Sequence, residues 1–444
     1  MASFNEIYLK YEKYFTDTKS ITEDVIFGLN IVLIDIKSIF EFAFKHFFFF
    51  LSFVLFVLIC YLLYKSYWSP ILYSKELSEV GYNHLPRGAD RTLHLMRVQN
   101  SRKFGTKLPP PYPNGWYVLV ESSDLKIGAV VPVDALGLNL CVYRGEDGTA
   151  RVVDAYCPHL GANLAVGGTV CGNCIECPFH QWRFGSDGAC VGIPGVESVP
   201  KGISLKTYSS MEVDGSVWIW YHVDGLPPQW TVDQSEECKN WGYRGRNEFF
   251  VNAHIQEIPE NGADVAHLNA VHTVSLLTDA GYKYPFINHF IGRHIWAAEW
   301  SKGEETHLAQ IKIKHNYIMM KMDILPLDVT VYQIGPAHVR LRFDSPVGPM
   351  MISQSVTPLG PLLQKVVHRV YSPSYNAVLA SLLVISEAYQ FQRDVAIWNN
   401  KKYVSAPAYV KTDKTIRTFR SWFSQFYSEN SISLKDALQN PLDW

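Results

Sequence analysis

With 444 residues, the chain is long enough for two or three domains. Its 48% hydrophobic and 14% aromatic content supplies a sizeable core and an apolar binding site. A net charge of −2 gives no basic footprint and argues against a nucleic-acid partner. Eight cysteines over this length are no disulfide framework, which argues against a stapled secreted module and suits a reducing compartment.

In chain order, residues 1–46 form an N-terminal segment of mixed charge with no clear chemistry. Residues 47–64 read FFFFLSFVLFVLICYLLY, eighteen residues without a charge. That length predicts a transmembrane helix, because about 20 apolar residues cross a bilayer. Tyr61, Tyr64, Tyr67 and Trp68 gather at one end, as interfacial aromatics do. A buried core helix would normally keep a polar face. More than forty residues precede the run, unlike a cleaved signal peptide. Flanking lysines tie, while Arg87, Arg91, Arg97, Arg102 and Lys103 tip the body toward the cytosol. The lack of any Asn-x-Ser/Thr sequon agrees with that side.

Residues 65–114 read as a linker ending in the Pro-rich run PPPYPNG. Residues 115–224 then alternate short β-like runs with turn residues, among them Asp214-Gly215, and predict a small all-β domain. Residues 225–444 predict an α+β domain, an antiparallel sheet with helices. Its expected elements are a strand near Glu248–His254, a helix from Gln256 to Thr273, several strands within 306–357 and a long helix from Ala377 to Trp398. The fold class is therefore α+β with an N-terminal transmembrane helix.

The all-β domain carries Cys157-Pro-His159 and Cys177-Pro-Phe-His180. Two thiolates and two imidazoles are the ligand set of a Rieske [2Fe–2S] centre, with Cys on one iron and His on the other. A Cys2His2 zinc finger pairs Cys with Cys and His with His; here each Cys is paired with a His. Cys171 and Cys174 form a further C-x-x-C but lack a His at the required offset, so they are expected to stand aside. In the second domain lies Asp264-x-x-His267-x4-His272. Two His with a carboxylate suggest mononuclear iron(II) in a facial triad. Asp264 and His267 would share a helix face, but a spacing of five does not align His267 with His272, so the helix should loosen after His267. Alone, this pattern would also suit an ordinary helix.

The two motifs together resemble the Rieske non-haem iron oxygenases. That resemblance implies His267 and His272 as iron ligands, with Asp264 bridging to a cluster His of a neighbouring subunit. It also implies a third ligand far downstream, for which Asp323, Asp328, Asp344, Glu387, Asp394 and Asp413 are candidates. The segment FQRDVAIWNNKKYV around Asp394 resembles the ligand segment of ketosteroid-hydroxylating members, as FRSWFSQFYSE resembles their C-terminal part. Asp394 is thus preferred, then Glu387. With its N-terminal apolar run, the chain over residues 47–430 resembles the Neverland family of animal cholesterol 7-desaturases. The resemblance implies cholesterol as substrate, 7-dehydrocholesterol as product, O2, and a homotrimer passing electrons between subunits. It implies a membrane enzyme, expected in the endoplasmic reticulum with its body in the cytosol. No G-x-G-x-x-G occurs for NAD(P)H or flavin, so a separate reductase is expected to deliver NAD(P)H electrons. The competing readings are a hydroxylase of another apolar substrate and an electron carrier with no second iron site.

Overall fold

The computed structural model describes residues 25–439 apart from 27, 42–43, 45–46, 103, 106, 276–279 and 325. Residues 1–24 of the N-terminal segment lie outside the described residues. The chain divides into two units, 1–65 and 66–444.

The expected membrane span is helical, within α1 (Phe47–Trp68). Its described side chains are solvent-exposed, Phe49 by 74% and Phe56 by 63%. Among the described residues no helix is long and apolar enough to cross a membrane.

The second unit is built on a nine-stranded sheet. Its main strands are β1 (Ile71–Lys75), β2 (Gly242–Val251), β3 (Arg293–Lys302), β4 (Leu308–Met319), β5 (Leu327–Ile334), β6 (His338–Asp344), β7 (Met350–Gly360) and β8 (Leu363–Ser372). They lie in the order β1-β2-β8-β7-β6-β5-β4-β3. From β2 to β3 every pairing is antiparallel. β1 joins parallel to β2, with Ile71 opposite Gly245. The stretch expected as a linker is thus partly an edge strand, and it also contains the helix Arg91–Ser101. The linker's Pro109 and Pro110 carbonyls both lie 3.1 Å from Nε2 of the buried His254.

Three small sheets make up the all-β domain. Gly115–Glu121 pairs with the hairpin Ser210–Val213/Ser216–Tyr221. Asp214 and Gly215 turn that hairpin with φ of +50° and +72°, the left-handed pair a tight two-residue turn demands. A second sheet holds Val130–Ala135, Leu138–Arg144, Ala150–Asp154 and Thr207–Tyr208. The third holds Thr169–Cys171, Cys174–Glu176, Arg183–Phe184 and Cys190–Gly192, and it frames the Cys-His loops.

One apolar core runs through both domains. Tyr117, Leu140 and Val217 of the all-β part belong to the same buried cluster as Phe249, Val366 and Phe391. Polar ties cross the same boundary. Arg369, 1% exposed, grips Glu121, and Arg340 meets the buried Asp214 at 2.8 Å.

The long helix forms as expected, α5 here (Ala377–Trp398). It lays Val384, Ala388, Phe391 and Val395 against the sheet, a stripe at helical spacing. The helix expected from Gln256 to Thr273 is instead broken. A short α2 (Glu257–Glu260) runs into a 3-10 turn, Asn261–Ala263, and a new α3 (Val265–Val271) starts after Asp264, with a short α4 (Ala280–Lys283) further on. One break precedes His267; the helix ends again after it, as its spacing from His272 required, with His272 at φ −107° and ψ +13°. Asp264 leaves helical geometry (φ −91°, ψ +82°) to cap α3, its side chain accepting from the His267 backbone N–H at 3.3 Å. Gly262 passes so close to the sheet that a Cβ would lie 2.6 Å from Ile311 Cδ1.

Candidate active site

Each Cys-His loop is closed in the same way. The Gly161 N–H donates to the Cys157 carbonyl at 2.9 Å, and the Gln181 N–H donates to the Cys177 carbonyl at 3.0 Å. Gly161 and Gln181 both take positive φ, +72° and +56°. The loops are therefore matched tight turns, with Pro second in each and the His third in one and fourth in the other. They bring all four residues to one end of the domain. The two Cys are buried, at 3% and 2% exposure. The His159 and His180 rings stand 4.7 Å apart beyond them. Trp182 stacks on His159 at 4.2 Å, and Phe179 packs on His180 at 3.9 Å. Burial pushes the Cys157 thiol up to about 11, against the His159 backbone N–H, which favours the thiolate. A nearby cation is what would turn such a thiol into a ligand. Cys171 and Cys174 face each other across a hairpin turn, in register in the outer sheet. Among the described residues, only one group of three donors converges tightly enough for a single ion, and it is not this one. Inner sulfurs and outer imidazoles suit a two-iron cluster better than one zinc.

That group is His267, His272 and Asp394, whose ligand atoms lie within 4.8 Å of one another. His267 sits on α3 and His272 ends it as C-cap. Asp394 comes from α5 and meets His272 Nε2 at 3.1 Å. The other ring nitrogens are held from behind. His272 Nδ1 lies 3.1 Å from Gln390 Oε1, and His267 Nδ1 pairs with the Asp264 carbonyl. Both rings thereby direct Nε2 toward the shared point, the arrangement that prepares imidazoles for a metal. Gln390 is itself fixed, since Arg393 donates to the same Oε1 at 2.9 Å and to the Val274 carbonyl at 3.0 Å. Burial disfavours a charged His272 most, but the bond to Asp394 and its charge, with Gln390 and Glu387, together outweigh this and raise its pKa. Burial pushes the Glu387 carboxyl up to about 7, opposed by His272 and assisted by Asp394.

The site opens into an apolar cavity of about 190 Å³ between α5 and the sheet, with walls that include Ile311, Val331, Leu341 and Trp296. The sequence reading missed Gln390 and Trp296. Gln390 was findable, since Glu387, Gln390 and Asp394 fall on one face of α5 at helical spacing. Trp296 lies on a strand with no motif, and its indole N–H donates to the His272 carbonyl at 3.2 Å, a contact no sequence spacing announces.

These features define a Rieske oxygenase scaffold, and the comparisons agree. Residues 115–209 match the Rieske [2Fe-2S] domain, and residues 219–427 match the 3-ketosteroid 9alpha-hydroxylase C-terminal domain. Dicamba monooxygenase bound to dicamba shares the fold at 15% identity, with a TM-score of 0.51 over 72% of this chain and 98% of that one. The cholesterol 7-desaturase of Bombyx mori is 62% identical over 87% of this chain and 85% of its own. That of Xenopus laevis is 46% identical over 84% of each. The 3-ketosteroid-9-alpha-monooxygenase oxygenase component of Rhodococcus rhodochrous is 30% identical over 72% of this chain and 81% of its own. The chain belongs to the cholesterol 7-desaturase (Neverland) family of Rieske oxygenases. It is an oxidoreductase with iron cofactors.

Proposed function

We propose that this enzyme removes one hydrogen each from C7 and C8 of cholesterol, giving 7-dehydrocholesterol for steroid hormone synthesis. The observation that carries the reading is the converging His267–His272–Asp394 set at the end of an apolar cavity, in a chain 62% identical to a cholesterol 7-desaturase. The reaction balances as cholesterol, O2, two electrons and two protons going to the diene and two waters. Cys157 and Cys177 would hold one cluster iron and His159 and His180 the other. His267, His272 and Asp394 would hold the third iron, which supplies O2 activation when bound. The protein's own part is to fix both imidazoles through Gln390 and the Asp264 carbonyl, and to seat the sterol among apolar walls away from bulk water.

A separate reductase supplies the electrons from NAD(P)H. The enzyme works as a homotrimer, in which Asp264 links a cluster His of one subunit to His267 of the next. The exposed cluster tip supports a contact of this kind, with Leu160 at 64% and Phe179 at 61% exposure. Residues 47–64 anchor the chain in the endoplasmic reticulum membrane with the body in the cytosol. The support is eighteen uncharged residues in a helix whose described side chains are exposed. Such an anchor keeps the enzyme beside a substrate that scarcely dissolves in water.

The test is turnover of cholesterol with reductase and O2, read by mass spectrometry. A product two hydrogens lighter, with the 7-ene, is expected. A product one oxygen heavier would make the enzyme a hydroxylase instead. Electron transfer between subunits is tested by co-assembling Cys177→Ser with His267→Ala chains. Each is expected to be inactive alone and partly active together. Verified mixed oligomers without activity would place the electron path within one chain.

A further inference from the structure

We propose that His294 and His315 form the site that holds the sterol's 3-hydroxyl, in a second chamber beside the iron cavity; this rests on the sterol reading above. The chamber has a volume of about 300 Å³ and shares Trp296, Phe343, Glu387 and Gln390 with the iron cavity. Leu327, Met350, Leu379 and Leu383 make much of its remaining wall apolar. Paired β3 and β4 bring the two histidines together on the inner face, with His294 opposite Tyr317 and His315 opposite Trp296.

His294 Nδ1 and His315 Nε2 are hydrogen-bonded at 2.8 Å. The residues are 8% and 3% exposed. Among the described residues, the outer nitrogens, His294 Nε2 and His315 Nδ1, have no hydrogen-bond partner. Buried polar atoms are seldom left this way without a use. Burial pushes the His294 ring down to about 3 and the His315 ring down to about 4, so both are neutral near pH 7.

Neutrality fixes what the pair offers. If His294 donates across the shared bond, its Nε2 is an acceptor and His315 Nδ1 carries a proton. If His315 donates, the roles exchange. Either way the outer nitrogens present one donor and one acceptor. A hydroxyl can donate or accept, so it can bond whichever outer nitrogen it reaches in either tautomer, and its arrival requires no charge. The geometry of the sterol agrees. C7 lies in the second ring and the 3-hydroxyl on the first, one fused ring away. A sterol with C7 at His267 and Asp394 carries its hydroxyl one ring further on, and the residues common to both chambers put the second chamber next to that position.

The test compares equilibrium binding of radiolabelled cholesterol and of cholest-5-ene, its 3-deoxy analogue, to the full chain in detergent. The selectivity ratio for cholesterol is expected to fall by about tenfold or more in His294→Leu and in His315→Leu, the effect of losing a buried hydrogen bond. Binding of the deoxy sterol should change by less than about twofold, as apolar packing is retained. His315→Gln, which keeps a donor and an acceptor, should recover part of the ratio. An unchanged ratio in both Leu variants would overturn the proposal, and so would equal loss of both sterols in all three variants. Failure of the unaltered chain to bind either sterol would overturn the sterol reading along with it.

Discussion

Gln390 shows how little of a metal site lies in its ligands. Its one oxygen accepts from Arg393 at 2.9 Å and stands 3.1 Å from His272 Nδ1, so it sets both tautomer and ring direction. Gln390→Leu is expected to lower iron affinity at the His267/His272 site by about 10- to 100-fold. Competition with a chelator measures this, and the cluster's visible spectrum should persist. At the other centre, Cys177→Ser should abolish the Rieske EPR signal, while Cys171→Ser with Cys174→Ser should leave it. Loss of the signal in a folded double variant would overturn the ligand assignment. These candidates stand out in the sequence because Cys and His at such offsets have few alternative uses. His294 and His315 were not, because 20 residues separate them and only strand register joins them.

At the scale of elements, α5 was legible to its ends because its apolar stripe is unbroken from Ala377 to Trp398. The helix expected over 256–273 was not. Its periodicity hides a carboxylate that prefers to cap rather than continue, and a Gly that must pass close to Ile311. In the all-β domain turn residues mark the strand ends, as Asp214-Gly215 does. The Asp214 hairpin does more than turn. The buried carboxylate accepts from the Ser235 N–H at 3.0 Å, from Gln234 and from Arg340, pinning the all-β domain to β6. Asp214→Ala leaves the Arg340 guanidinium without its carboxylate, with the Asp233 carbonyl as a remaining partner, and is expected to cost about 3–5 kcal/mol. A lowered urea midpoint checks it; an unchanged midpoint would mean that water replaces the pair.

For the whole molecule, one apolar cluster crosses from the all-β part into the large sheet, beside others confined to each part. No sequence period reveals this, since each domain's apolar pattern is satisfied locally. It follows that the all-β part should not unfold independently of the sheet. β1 also sets the safe truncation point. A chain beginning at residue 66 keeps β1 and is expected to be released from membranes with its iron retained. One beginning at 76 loses the edge strand and should be less stable. Acid sensitivity also belongs to this scale. Burial holds His254 at about 4, against an ordinary value of 6.5. Between those values the unfolded chain takes a proton that the folded chain refuses, so His254 makes stability fall as pH drops from about 6.5 to about 4. His254→Gln should flatten the pH dependence of the urea midpoint there by about one proton's worth. An unaltered slope would contradict the burial of a neutral ring.

The central claim is that one chain holds a two-iron cluster and, through His267, His272 and Asp394, a third iron that acts on the sterol. The most direct measurement is iron content with EPR on Asp394→Asn beside the unaltered chain. Three irons per chain are expected without the substitution and two with it. The Rieske signal should be intact in both, and cholesterol turnover should be lost in the variant. Three irons retained in Asp394→Asn, with turnover near normal, would contradict the account and move the third ligand elsewhere, with Glu387 the next residue to change.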